Sequence, residues 1–135
     1  SDFYVCHFGR GGVKYLIYKY KIMKPKIIYN TRILKAWPFK RIGAIVLWPF
    51  IILRKEYKGT GHGARVLVHE KIHWAQVTEL YVIPFYILYV LNFFYNLVTL
   101  NPNPYKNIIF ERESFKNQDN PHYLTTRKKF AFLKF

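Results

Sequence analysis

The stretch VLVHEKIHWAQ places His69 and His73 four residues apart, with Glu70 directly after the first histidine. On a helix, positions four apart share a face, so both imidazoles can reach one ion while Glu70, one residue round, reaches a water beside it. Two neutral imidazoles and a carboxylate suit Zn²⁺, and an open fourth position admits the attacking water. Glu70 would serve as catalytic base, taking the water's proton and delivering it to a leaving amine.

Two ligands are too few, and no later histidine supplies the third: Gln76 and Thr78 follow the motif, and the next histidine is His122. A carboxylate is needed, and beyond Glu79 the chain offers only Glu111, Glu113 and Asp119. Glu111 and Glu113 lie together in NIIFERESF. Helical spacing puts Glu111 on a face with Ile108, Ser114 and Phe115, whereas Glu113 is followed at three and four residues by Lys116 and Asn117. Glu111 is therefore the better inward-facing ligand. Glu113 reads as a hydrogen-bond partner of an imidazole, as the partner of a nearby Arg or Lys, or as a solvated helix residue. Gln76, three residues after His73, either orients a ligand or packs. An oxyanion-stabilising group is also required, and His62, His122 or one of the twelve tyrosines could supply it. As ordinary residues, His62 would belong to a loop and His122 to a turn or cap.

These side chains need elements to carry them. A helix is expected from near Ala64 to at least Leu80, after the glycine-rich loop KGTGHGAR. Asn103 and Pro104 form an N-cap and first-turn pair for a second helix running to about Asn117. Between them, residues 80–100 carry no charge and have the roughly 20-residue length of a bilayer crossing. Pro84, Asn92, Asn96 and the tyrosines in this run weigh against a simple span. A buried or interfacial helical hairpin element is expected, with true membrane insertion as the alternative; Pro84 starts the second helix or kinks the first, and that helix fades near Asn96. Strands are expected at residues 13–23, 26–30 and 42–53, the last with Pro49 marking an edge or bulge. After the turn-rich NQDNPH, residues 123–135 read as a basic terminal helix. The fold class is α+β: an N-terminal antiparallel sheet and a helical C-terminal half carrying the motif helix, in one domain over residues 1–135.

The 22 Lys+Arg against 7 Asp+Glu give a formal charge of +15, which favours an anionic partner: a membrane surface or a nucleic-acid-containing assembly. The 20% aromatic content suits a membrane interface better than a nucleic-acid arm. Cys6 is the only cysteine, so no internal disulfide or Cys-based zinc site is available; an inert, partly buried side chain is expected there. No cleavable signal peptide is visible, because Lys and Arg interrupt the apolar stretches near the N-terminus. A cytoplasmic or membrane-associated location is expected. Nucleotide loops and nucleophile elbows are missing, and GRGG at residues 9–12 is a turn signal only.

HEKIHWAQ, followed after an apolar helix by FERESF, resembles the gluzincin-type zinc metallopeptidases, which pair HExxH with a downstream helical glutamate. More closely, the chain is similar to small bacterial proteins with an H-E-[KR]-x-H-x-x-Q helix and a later F-E-R-E-A block, over residues 44–135. The resemblance implies a small zincin-like domain with zinc held by His69, His73 and Glu111 and Glu70 as base. It also implies that the strand before the motif helix, residues 45–54, takes an extended substrate along its edge. Phe115 stands where the membrane-associated CAAX prenyl proteases carry aspartate, and Ser114 where the nearer pattern has alanine. The leading expectation is hydrolysis of a peptide or protein substrate. Its alternative is a non-catalytic basic structural or binding protein with a structural or vestigial metal site.

Overall fold

In a computed structural model that describes residues 24–35 and 42–135, the apolar run after Gly43 folds back on itself. Strand β1 (Lys26–Tyr29) leads into a short helix α1 (Thr31–Lys35); strands β2 (Ala44–Leu47) and β3 (Phe50–Leu53) form a hairpin around Trp48 and Pro49. The expected single strand over 42–53 is thus two strands. Pro49 occupies the turn, where its missing N–H is not required, and its carbonyl accepts from Lys26 N at 3.2 Å. The sheet order is β1-β3-β2, with β3 antiparallel to β2 but parallel to β1, so the sheet is mixed where an antiparallel one was expected. The connection through α1 and β2 returns the chain to the same end before β3, which forces the parallel pairing. The strand expected at 13–23, the turn at 9–12 and Cys6 lie outside the described residues.

Helix α2 (Gly61–Leu80) starts where Thr60 caps it, its hydroxyl accepting from Gly63 N at 2.9 Å. A single 3₁₀ turn, Lys55–Tyr57, packs directly under this start. A Cβ on Gly63 would lie 1.8 Å from the Tyr57 carbonyl oxygen, so backbone meets backbone there. Gly63→Ala should therefore lower stability by about 1–3 kcal/mol or more, read as a reduced denaturant midpoint, because the start of α2 must lift off the turn.

The apolar run beyond α2 breaks at Tyr81, whose φ of 65° ends one helix and begins the next. Helix α3 (Val82–Val98) has Pro84 in its first turn, where a missing amide costs nothing, and leaves α2 at a bend of 114°. A helical hairpin element was the expected form. No described helix is by itself long and apolar enough to cross a membrane, although α2 and α3 taken together as a bent pair meet the length and composition test. The two asparagines in this run hold the next element. Asn92 Oδ1 accepts from Ile109 N at 2.8 Å, capping helix α4 (Ile109–Asn117), and Asn96 Nδ2 donates to Pro104 O at 3.2 Å. Residues 101–107 form turns, so α4 begins later than Asn103 and Pro104 suggested.

The terminal helix expected over 123–135 is broken into α5 (Tyr123–Thr126) and a 3₁₀ turn, Ala131–Lys134. Arg127 leaves the helix with extended backbone and turns its guanidinium inward to Glu79 and Glu113, and Phe130 follows in a left-handed conformation at φ 55°. One apolar core joins the sheet to the helices through Val46, Ile51, Leu53, Trp74, Val77 and Phe110.

Candidate metal centre

Burial of α2 on α4 brings three side chains to one point. His69 Nε2 lies 3.1 Å from Glu111 Oε2, His73 Nε2 lies 3.1 Å from Glu111 Oε1, and the two Nε2 atoms are 3.1 Å apart. All three residues are buried, and this group could hold a metal ion. Zinc–ligand bonds of about 2.0–2.1 Å in a tetrahedron require ligand atoms about 3.3 Å apart, close to this spacing.

The hydrogen bonds behind the imidazoles fix which nitrogen faces the centre. Gln76 spends both amide protons, on Phe110 O at 3.1 Å and on Glu113 Oε2 at 2.9 Å. Its remaining oxygen must accept, so the His73 Nδ1–H donates to Gln76 Oε1 at 2.7 Å. That tautomer leaves a lone pair on His73 Nε2, pointing at the centre. His69 Nδ1 contacts Gln118 Oε1 at 3.1 Å, which selects the same arrangement. Two lone pairs and a carboxylate converging at 3.1 Å require a positive centre between them, a proton or a metal ion.

In the metal-free chain a proton fills this place. Burial alone would lower the His73 pKa, but the charge of Glu111 and its hydrogen bond raise it from 6.5 to about 9. For Glu111, burial would raise the carboxyl, but the two imidazoles and their hydrogen bonds hold it well below the usual carboxylate range. The charged pair stabilises the fold fully below the unfolded imidazole value of 6.5, and its contribution is lost as pH rises through about 9. In the presence of a chelator, melting temperature should fall between pH 6.5 and 9. Zinc affinity should rise over the same window as the competing proton leaves, measurable by titration calorimetry at several pH values.

Glu70 differs from every other buried acid. Among the described residues no group donates a hydrogen bond to it, and its carboxylate lines a cleft of about 760 Å³ beside the three ligands. Burial raises its pKa, against the lowering effect of the charged imidazoles. Glu111, in contrast, accepts from Tyr89 Oη at 2.6 Å on Oε1, and its place in the first turn of α4 suits a carboxylate at the positive helix end.

Glu113 is completely buried, which removes the solvated alternative and leaves its pairing with an arginine. Gln76, Tyr123 and Arg127 surround it, with Tyr123 Oη donating at 3.0 Å and Arg127 Nε at 2.5 Å to Oε1. Arg127 also pairs with Glu79 through Nη1. This chain of contacts ties the basic tail through Glu113 and Gln76 to the back of His73.

His62 sits exposed at the rim of the cleft, its ring edge-on to Tyr57 at 4.9 Å. His122 does not line the cleft: the turn at Asn120 and Pro121 puts it at the exposed start of α5, where its carbonyl accepts from Thr125. Tyr89 and Tyr105 line the cleft, and the Tyr89 hydroxyl reaches Glu111. Burial and the charge of Glu111 raise both phenols, so they remain protonated donors. Comparison of the chain with protein-family models, curated proteins and solved structures finds no match.

Proposed function

We propose that this chain is a zinc-dependent metallopeptidase. One observation carries the reading: a buried carboxylate, Glu70, to which no described group donates a hydrogen bond, lines a cleft beside a convergent His69, His73 and Glu111. Two imidazole nitrogens and one carboxylate are a donor set that zinc accepts while keeping a position open. When bound, the ion would supply Lewis acidity toward water and a scissile carbonyl. Glu70 accepts the proton of the attacking water and returns it to the leaving amine. Tyr89 and Tyr105 offer phenolic donors to the oxygen that gains charge, Tyr89 by exchanging its bond to Glu111.

The cleft wall suits an extended peptide. Gly43 O accepts from Arg54 N, so alternation along the hairpin turns the backbone groups of Ala44 and Val46 away from β3, to the edge that no described strand covers. Tyr86 Oη donates to Val46 O at 2.8 Å, and among the described residues Ala44 N–H, Ala44 C=O and Val46 N–H are left for a peptide strand. This edge is the β2 part of the expected 45–54 segment; β3 is interior to the sheet.

A second reading, a non-catalytic basic protein of an anionic membrane surface or nucleic-acid-containing assembly, draws on the +15 charge. Zinc content of the purified chain, followed by mass-spectrometric digestion of a mixed peptide library with and without 1,10-phenanthroline, separates the two. Cleavage that the chelator stops and added zinc restores is expected. A folded chain that binds no divalent ion would overturn the proposal, and a zinc-loaded chain that cleaves nothing would leave the second reading in its place.

A further inference from the structure

Helix α3 is apolar on both of its faces. One face carries Phe85, Tyr86 and Tyr89 into the cleft wall and the core. The opposite face carries Ile83, Ile87, Leu91, Phe94 and Val98, at the 3.6-residue repeat, each between 53% and 80% exposed. Leu100, just past the helix end, is 87% exposed. The outward face runs the length of a helix of about 25 Å, well beyond the scattered exposed leucines of an ordinary surface.

We infer that this face of α3 docks into the interfacial layer of an anionic phospholipid bilayer, with the helix lying in the membrane plane. Residues 80–105 contain no charged side chain, while the remainder of the chain carries all 22 Lys and Arg. A bilayer offers the complement to both parts at once: acyl chains for α3 and anionic headgroups for the cationic body. Tyr81, just before α3, and Tyr95, next to Phe94, are both largely exposed and carry side chains that favour the headgroup level. A second copy of the chain fits less well, because bringing two bodies of charge +15 together opposes association. A protein partner would ordinarily meet hydrogen-bonding groups in such a patch, and between Tyr81 and Tyr95 the outward stripe is wholly apolar.

Docking does not depend on the hydrolytic reading of the metal centre. Where both hold, the cleft wall formed by α3 lies beside the membrane surface, so the substrates would be polypeptides presented there.

The test is co-sedimentation of the full chain with vesicles of phosphatidylcholine alone or mixed two to one with phosphatidylglycerol. Binding to the mixed vesicles should be at least about tenfold tighter, and Leu91→Glu or Phe94→Glu should weaken it about tenfold or more at unchanged circular dichroism. A Phe94→Trp variant covers the case of misfolded glutamate variants: its added fluorescence should be quenched by lipids brominated in the acyl chain. Vesicle binding should survive Glu70→Gln, which separates this contact from catalysis. Three results would overturn the inference: no binding to mixed vesicles, binding that ignores a folded Leu91→Glu and vanishes with salt, or a stable dimer that Leu91→Glu dissolves.

Discussion

Glu70→Gln should lower peptide hydrolysis by a factor of about 10² to 10⁴ while zinc stays bound. The amide preserves size and polarity but cannot accept a proton from the attacking water. No described group hydrogen-bonds to Glu70, so the substitution breaks no hydrogen bond among the described residues and changes only its charge beside the two imidazoles. Stability gives an independent control. Burial raises the Glu70 carboxyl, so the ionised side chain costs folding energy as pH rises above its unfolded value of 4.5. The amide removes that cost, and the variant should melt at the same temperature as the parent or higher at neutral pH. Loss of rate with retained zinc and retained melting temperature is the expected triad. A variant that loses its zinc, or one that cleaves at the parental rate, would remove Glu70 from the role of base.

The HExxH spacing was legible because a helix face is a local property: residues 69 and 73 meet without help from the rest of the fold. Glu111 was legible for a related reason, since an acid-poor chain left few ligands and the turn of one helix ranked them. Glu113 was left among three readings by the same reasoning, and pairing with an arginine is the one that the fold shows. Its polar followers, Lys116 and Asn117, indicate solvent, but Arg127 and Tyr123 cover it from a segment whose bend no local pattern announces. Arg127 breaks the amphipathic repeat of the tail in order to reach two carboxylates, so tertiary charge pairing overrides helix propensity there. The hairpin at Pro49 was hidden because a continuous apolar run reads alike as one strand or two. Asn92 counted against membrane insertion as a polar blemish; its actual work, capping α4 from α3, depends on a contact 17 residues away. The tyrosines around Glu111 carry no spacing signal, and only the folding of α3 against α4 singles out Tyr89.

Glu111→Ala should cost zinc affinity more than about 100-fold, beyond the 10- to 100-fold range that loss of an outer hydrogen-bond partner produces. The carboxylate faces both imidazoles at 3.1 Å, so its removal leaves two neutral donors and no charge to balance a divalent ion. Competition with a fluorescent zinc chelator measures the change. The metal-free variant supplies a second readout. Without Glu111 the charge and hydrogen bond that raise His73 most are gone, and burial is opposed only by the charge of Glu70 and the hydrogen bond to Gln76. The fall in melting temperature between pH 6.5 and 9 expected of the parent should therefore flatten. Glu113→Gln provides the contrast, because it keeps an oxygen for Arg127 and Tyr123 and disturbs His73 only through Gln76. Its zinc affinity should fall by no more than about 10- to 100-fold, with the pH dependence retained. If Glu113→Gln abolished binding and Glu111→Ala spared it, the third ligand would have been assigned to the wrong glutamate, and the convergence on Glu111 would be an ion pair and nothing more.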